Sequence, residues 1–361
     1  MICGNCDSTK KFSASCGSRY CNRCGSHRNA EWLEKRMVDM LPIPHYMVTF
    51  TIPDHLRNLF YHNQKLCYGL MFSEGIQALK AALKTEWGEH VQTGFAAFLH
   101  TWAQNLSYHP HLHVLVPAGG LSDDDMEWIM PEKKDWLCHF RVISSLFKGK
   151  LCDALLHAFD KGKLNWPQNQ KVPDSIDACK RFLLGKKNIH WRVNISLPQG
   201  GPTGAFDYLA RYVFRSAIGN NRILDANKDH VDIAVKNRET HQIEKVKLTT
   251  REFLKRIGYH ILPKGFTRVR WFGFLACAKR KLKTSIIRGI LHNTQLAISE
   301  KGFLKMRKSL RERLASQLCQ QCKKVKMKFH HFTTGLQVRM RDRTALNSLY
   351  HGHIHFGVPS S

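Results

Sequence analysis

The sequence predicts an α+β fold, and three observations lead to it. Stretches such as "YMVTFTI" (46–52), "TGFAAFLHTW" (93–102) and "HLHVLVPAGG" (111–120) carry the β-branched and aromatic content of strands. Between the first two, apolar residues from Leu56 to about Trp87 recur at three- and four-residue intervals, the period of one or two helices. Clear breaks such as "PQGGPTG" (198–204) interrupt the pattern without the steady strand–helix rhythm of a doubly wound sheet.

Taken in order, the chain begins with "CGNCDSTKKFSASCGSRYCNRC", five cysteines within residues 3–24. Cys3-x2-Cys6 and Cys21-x2-Cys24 have the spacing of two knuckles that close a tetrahedral thiolate site around Zn²⁺. Such a site supplies roughly 10 kcal/mol or more of a small module's folding free energy at neutral pH. Cys16 could replace one of the four ligands or belong to a second, incomplete site. Four thiolates leave no open coordination position, so this zinc is expected to be structural. Lys10, Lys11, Arg19, Arg23 and Arg28 interleave with the cysteines and give the knuckle a basic surface suited to DNA.

"AEWLEKRMVDML" (30–41) has helical spacing, and "YMVTFTI" reads as a strand ended by Pro53. After the helical stretch, "TGFAAFLHTW" reads as a second strand running through a short connection into the histidine strand. Residues 131–159 are mostly helical by pattern, and "NIHWRVNISL" (188–197) returns to alternation. Beyond the glycine-rich break, "AFDYLARYVFRSAIGNN" (205–221) has an apolar helical stripe, Ala205, Leu209, Ala210, Val213 and Phe214, with Gly219 as a stop.

Successive strand side chains point to opposite faces, so His109, His111 and His113 share one face, about 7 Å apart per two-residue step. Leu112, Val114 and Val116 face the other way. Pro110 implies that regular pairing begins only after it, which makes His111 and His113 the secure pair. Two neutral imidazoles on one face can bind a divalent ion and leave positions open for substrate. An isolated His-x-His more often marks hydrogen-bonded surface groups, so the motif needs a partner. Tyr208 and Tyr212 offer one, four residues apart and one turn from each other on the same helical face.

With 361 residues the chain can bury a large core in two or three domains. Lys and Arg number 56 against 28 for Asp and Glu, a net charge of +28 that points to a polyanionic partner. From Arg251 to the end there are 24 basic and 4 acidic residues, so this last third holds +20 of the total. Neither an apolar run of about 18 residues nor a signal-peptide pattern is present, and the expectation is a cytoplasmic protein with no membrane partner.

"HPHLHVLVPAGG", then "YLARYV", then "YHILPKGFTRVRWFGFLA" (259–276), together with the cysteine-rich start, closely resembles the rolling-circle transposases of the insertion-sequence-91 family. Their nuclease belongs to the HUH superfamily, named for His, hydrophobic, His. The resemblance runs from Cys3 to about Lys281. It implies an HUH core built on an antiparallel sheet flanked by helices, with the tyrosine helix beside the histidine strand. It implies that His111 and His113 hold Mg²⁺ or Mn²⁺, with Gln104 or His109 as candidates for a third ligand. It also implies that Tyr208 and Tyr212 are paired nucleophiles. The implied activity is nicking and rejoining of single-stranded DNA at element ends through a 5′-phosphotyrosine, in a bacterial cytoplasm. Single-stranded element ends and target DNA are the implied partners. A rolling-circle replication initiator or relaxase, and a zinc-dependent DNA-binding protein without catalysis, are the alternatives.

The expected domains are a zinc module over residues 1–30, the nuclease over 31–275, and a basic, mainly helical tail over 276–361. Arg268, Arg270, Lys279, Arg280 and Lys281 are candidate DNA contacts, the first two interleaved with Phe266, Trp271, Phe272 and Phe274. Core packing is the competing role for most of those rings. "AKRKLKTSIIRGIL" (278–291) and "KGFLKMRKSLRERLASQL" (301–318) read as basic amphipathic helices. Cys319 and Cys322 could form half of another zinc site with His330, His331, His351, His353 or His355.

Overall fold

A computed structural model of the protein describes residues 5–6, 41–133, 136–185, 191–196, 217–237 and 240–293. The chain divides into two compact units, Met1–Ala14 with Ala315–Ser361, and Ser15–Leu314. Apart from Asn5 and Cys6, everything described belongs to the second.

Strands are β1 His45–Thr51, β2 Val91–Gln92, β3 Gly94–Trp102, β4 Tyr108–Pro117, β5 Gly120–Ser122 and β6 Trp128–Ile129. They continue as β7 Arg192–Ser196, β8 Ile223–Ala226, β9 His230–Lys236, β10 Ile243–Thr249 and β11 Val269–Gly273. Helices are α1 Arg57–His62, α2 Gln64–Trp87, α3 Phe140–Asp160, α4 Ile176–Leu184, α5 Thr250–Gly258 and α6 Arg280–Asn293. The main sheet runs β11-β3-β4-β1-β7, and every neighbouring pair is antiparallel, as the α+β expectation requires. The histidine strand β4 is its centre.

Alternation decides which face is buried. Val48 and Phe50 of β1, Ala97 and Leu99 of β3, and Leu112, Val114 and Val116 of β4 enter one apolar core. Tyr68, Phe72, Ile76, Leu79 and Leu83 of α2 meet them there, with Ile143, Phe147, Leu151 and Leu155 of α3. Gly75 marks the closest approach: a Cβ there would stand 3.2 Å from Leu112 and 3.8 Å from both Phe50 and Phe147. At the other end of the sheet, Gly273 closes β11 with φ of +63°, and a Cβ would run into the Thr93 carbonyl.

The expected strands at 46–52, 93–102 and 188–197 and the paired helices after Leu56 are all present. Two boundaries differ. The helix expected from Pro131 starts at Phe140, where the His139 side chain caps it by accepting from Arg141 N. Pairing also begins before Pro110, at Tyr108 opposite Trp102, but the register shifts between His100 and Trp102 and runs regularly only from His111. Sequence pattern had not indicated the second sheet, β10-β9-β8, which encloses its own core of Ile218, Val231, Ile233, Val235 and Leu248. The helices expected at 30–41, 205–221 and 301–318 lie outside the described residues, except for 217–221 and Leu41. Among the described residues no helix is long and apolar enough to cross a membrane.

Candidate metal centre

Being central, β4 presents its polar face between two neighbours. His113 lies opposite Phe98 of β3 and Thr49 of β1, and His111 lies opposite His100 and Thr51. The face away from the apolar core therefore gathers three imidazoles. Their ring centroids are 4.8 Å apart for His111 and His113, 4.9 Å for His100 and His113, and 5.4 Å for His100 and His111. One ring nitrogen from each lies within 4.8 Å of the others. His100 is 3 % and His113 8 % exposed.

The surroundings orient the rings. His111 Nδ1 donates to the His109 carbonyl at 2.7 Å, so in the neutral ring Nε2 carries the lone pair. His113 Nδ1 meets Thr49 Oγ1 at 3.0 Å, a contact that fixes the ring's orientation with either partner donating. Trp102 stacks on His100 at 4.7 Å with 20° between the planes. Burial, and then the neighbouring His100 and His111, hold the His113 pKa well below 6.5. A buried imidazole kept neutral beside two others suits a divalent cation, which needs the lone pair that a proton would occupy. Outer-shell partners of this kind are what hold metal-binding histidines in place.

His100 is the member of this group that sequence reasoning missed. A signal was available: a lone histidine on an otherwise apolar strand, which the short connection at 103–107 folds back across from His111. The two candidates for a third ligand read from the sequence have other surroundings, and His109 is not in the group of three. Gln104 is exposed in that connection. His109 lies 5.4 Å from the His111 ring, and its Nδ1 accepts from Arg57 Nη2 at 2.7 Å.

A second group of three comes together on the small sheet, Asp225, His230 and Asp232. Here Lys245 Nζ already stands 2.6 Å from the buried Asp232 carboxylate and holds its pKa below the usual range.

Of the candidate DNA contacts, Lys279 and Lys281 are exposed at the start of α6. Arg270 is half-buried with its guanidinium 4.4 Å over Phe72 and 5.1 Å over Phe266, and Arg280 is buried 5.1 Å over Trp271. Arg268 is half-buried and its carbonyl accepts from Leu99 N. Phe266 and Phe274 are core residues. Cys6 is half-buried; Cys3, Cys16, Cys21 and Cys24, both nucleophile candidates Tyr208 and Tyr212, and Cys319 and Cys322 lie outside the described residues. Burial pushes the thiols of Cys138 and Cys152 up to about 12 and that of Cys179 up to about 11, as befits packed thiols rather than ligands.

Comparison with known proteins finds transposases. A family profile described as "Putative transposase" matches residues 94–283, and one described as "Transposase zinc-binding domain" matches residues 1–52. The "Putative transposase y4qJ" of Sinorhizobium fredii is 35 % identical over 321 residues, 89 % of this chain and 80 % of that protein. The "Transposase for insertion sequence element IS801" of Pseudomonas savastanoi pv. phaseolicola is 26 % identical over 277 residues, 76 % of this chain and 65 % of that protein. No solved structure matches.

Proposed function

The chain belongs to the transposases of the insertion-sequence-91 type, zinc-binding amino-terminal domain included, and from that premise we propose that it nicks and rejoins single-stranded DNA through a 5′-phosphotyrosine. The observation that carries the reading is the convergence of His100, His111 and His113 at the sheet centre. Their nitrogens would hold Mg²⁺ or Mn²⁺, with His100 as the third ligand, and the ion would polarise the scissile phosphate and offset charge on the leaving oxygen.

Tyr208 or Tyr212 supplies the nucleophile, a phenol whose ordinary pKa is about 10 and which reacts as the phenolate. Its oxygen forms a bond to phosphorus as the bond from phosphorus to the 3′ oxygen breaks. The 3′ oxygen takes a proton and leaves as a free hydroxyl, while the 5′ phosphate stays on the protein. Because one phosphodiester replaces another, the step is reversible and the strand can be rejoined. A second tyrosine four residues away allows a second cleavage while the first is occupied. In this reading Cys3, Cys6, Cys21 and Cys24 close a structural Zn²⁺ site, to which Cys16 is the further candidate. Lys279 and Lys281 track the DNA backbone, joined by Arg268, while Arg270 and Arg280 brace the rings they cover.

The experiment is incubation of the protein with labelled single-stranded element ends and Mn²⁺. A denaturation-resistant protein–DNA adduct is expected, retained in part by each single Tyr→Phe variant. It should be absent in the Tyr208→Phe/Tyr212→Phe double variant and in His111→Ala/His113→Ala. Tight DNA binding with no adduct under any divalent metal would instead identify a DNA-binding protein without catalysis.

A further inference from the structure

Resting on the nicking reading above, we propose that Arg57 and Tyr61 form a subsite for the single strand beside the histidines. Arg57 takes a backbone phosphate and Tyr61 stacks on a base. The two residues sit four apart on α1 and therefore share one of its faces. That face meets the start of β4. Arg57 Nη2 donates to His109 Nδ1 at 2.7 Å, and the Tyr61 ring lies edge to face with Tyr108, centroids 5.4 Å apart. His109 in turn accepts through its carbonyl from His111 Nδ1 at 2.7 Å. The guanidinium is thus one residue removed from a candidate metal ligand.

The Arg57 side chain is 29 % exposed. Nη2 serves both His109 and Asp54 Oδ1, the latter at 2.5 Å, whereas Nε is buried with no hydrogen-bond partner among the described residues. The Asp54 side chain is 82 % exposed, and an ion pair so open to water is weak enough for a phosphate to displace or share. A guanidinium, always charged and with planar donors, pairs well with the oxygens of a phosphate.

Tyr61 is the complementary half. The residue is 36 % exposed, and its ring packs edge to face with Tyr108, with Tyr259 at 5.2 Å and 82°, and with His62 at 5.7 Å and 86°. Tyr108 is itself anchored, its hydroxyl 2.7 Å from that of the fully buried Tyr68. A partly exposed aromatic ring held in place by neighbouring rings is the kind of platform on which an unpaired base stacks. The occupant is single-stranded nucleic acid, because a base in a duplex is not available for stacking, and a chain of net charge +28 draws in a polyanion.

The test measures binding in the full-length Tyr208→Phe/Tyr212→Phe protein with no Mg²⁺ or Mn²⁺ added and no chelator, so that cleavage does not enter the result and a structural Zn²⁺ is kept. The probe is a fluorescein-labelled single strand copied from the element's end. Arg57→Ala should reduce the slope of log affinity against log salt by about 0.7, the loss of one phosphate contact, and Arg57→Lys should keep the slope. Tyr61→Leu should weaken binding roughly 5- to 150-fold, and Tyr61→Phe, which keeps the ring, should not. Probes with one abasic nucleotide, moved along the strand, should reveal a position where Tyr61→Leu costs nothing further. If Arg57→Ala does not fold, Arg57→Gln deletes the charge while keeping a donor for His109, and its slope is read instead. An unchanged slope for Arg57→Ala or Arg57→Gln, or affinity unchanged by Tyr61→Leu, would overturn the subsite. An adduct formed by the unsubstituted protein while binding ignores both residues would sink the subsite alone. Binding that depends on both, without any adduct, would sink the nicking reading alone.

Discussion

Two groups of three potential ligands lie on two different sheets of this protein, and they differ in what already neutralises them. Asp225, His230 and Asp232 on the small sheet carry negative charge, and the Lys245 ammonium is built into the group 2.6 Å from Asp232. His100, His111 and His113 on the main sheet form a group of imidazoles alone among the described residues, and burial holds the His113 pKa well below 6.5. The first group is a finished ion network in which a cation would have to displace a lysine. The second is a set of oriented lone pairs whose Nδ1 atoms are held by Thr49 and by the His109 carbonyl. Proximity of ligand types is common to both; only the first has a lysine ammonium already in place beside it.

The strongest way to break this comparison is to remove one member from each side. His113→Ala should lower Mn²⁺ affinity by more than about 100-fold, beyond what loss of an outer-shell partner costs. Asp232→Asn should leave that affinity unchanged. Calorimetric titration of the two variants decides it, and the comparison is inverted if Asp232→Asn removes the tighter binding event. A smaller effect tests whether orientation matters: Thr49→Val should weaken Mn²⁺ by about tenfold, with Thr49→Ser close to the unsubstituted protein. Equal affinities for all three would mean that Thr49 does not steer the His113 ring.

The smallest effect separates the regions by pH. Burial lowers the His45 and His260 pKa values from 6.5 to about 4, and His113 moves in the same direction. The unfolded chain therefore takes up protons at these positions before the folded one does. Their contribution is fully present above about pH 6.5 and is lost as the pH falls toward 4. Asp232 shifts the other way, below its ordinary 3.8, because Lys245 donates to it, so its contribution persists until the pH drops below that value. Thermal midpoints measured across pH 3 to 7, as roughly spaced points along these windows, should show His45→Gln flattening only the upper limb and Asp232→Asn only the lower. A change in the lower limb with His45→Gln would contradict the assignment.

How much of this was legible before folding differs from element to element. The apolar face of β4 and the pairing of β3 with β4 follow from alternation and from a short connection. The small sheet did not announce itself, because β8 is mostly exposed and β10 carries lysines and a glutamate where a core strand would be apolar. Arg280 looked like a DNA contact in a basic run, yet it is buried over Trp271, since helix phase decides which charges of such a run turn inward.

What the amino-acid sequence determined by itself is local. The pleat has period two, so His111 and His113 share a face and turn away from Leu112, Val114 and Val116 in any structure that makes this segment a strand. What only the tertiary structure decided is who joins them. His100 stands opposite His111 because the turn between β3 and β4 is anchored from outside: Leu106 adopts a φ of +65° and is wholly buried in the small sheet's core. His260 and Arg256 donate to the Leu106 and Asn105 carbonyls at 3.1 and 2.8 Å. A leucine pays for that backbone conformation only when distant packing holds it, and packing between residues more than a hundred positions apart is not written in any short stretch of the chain.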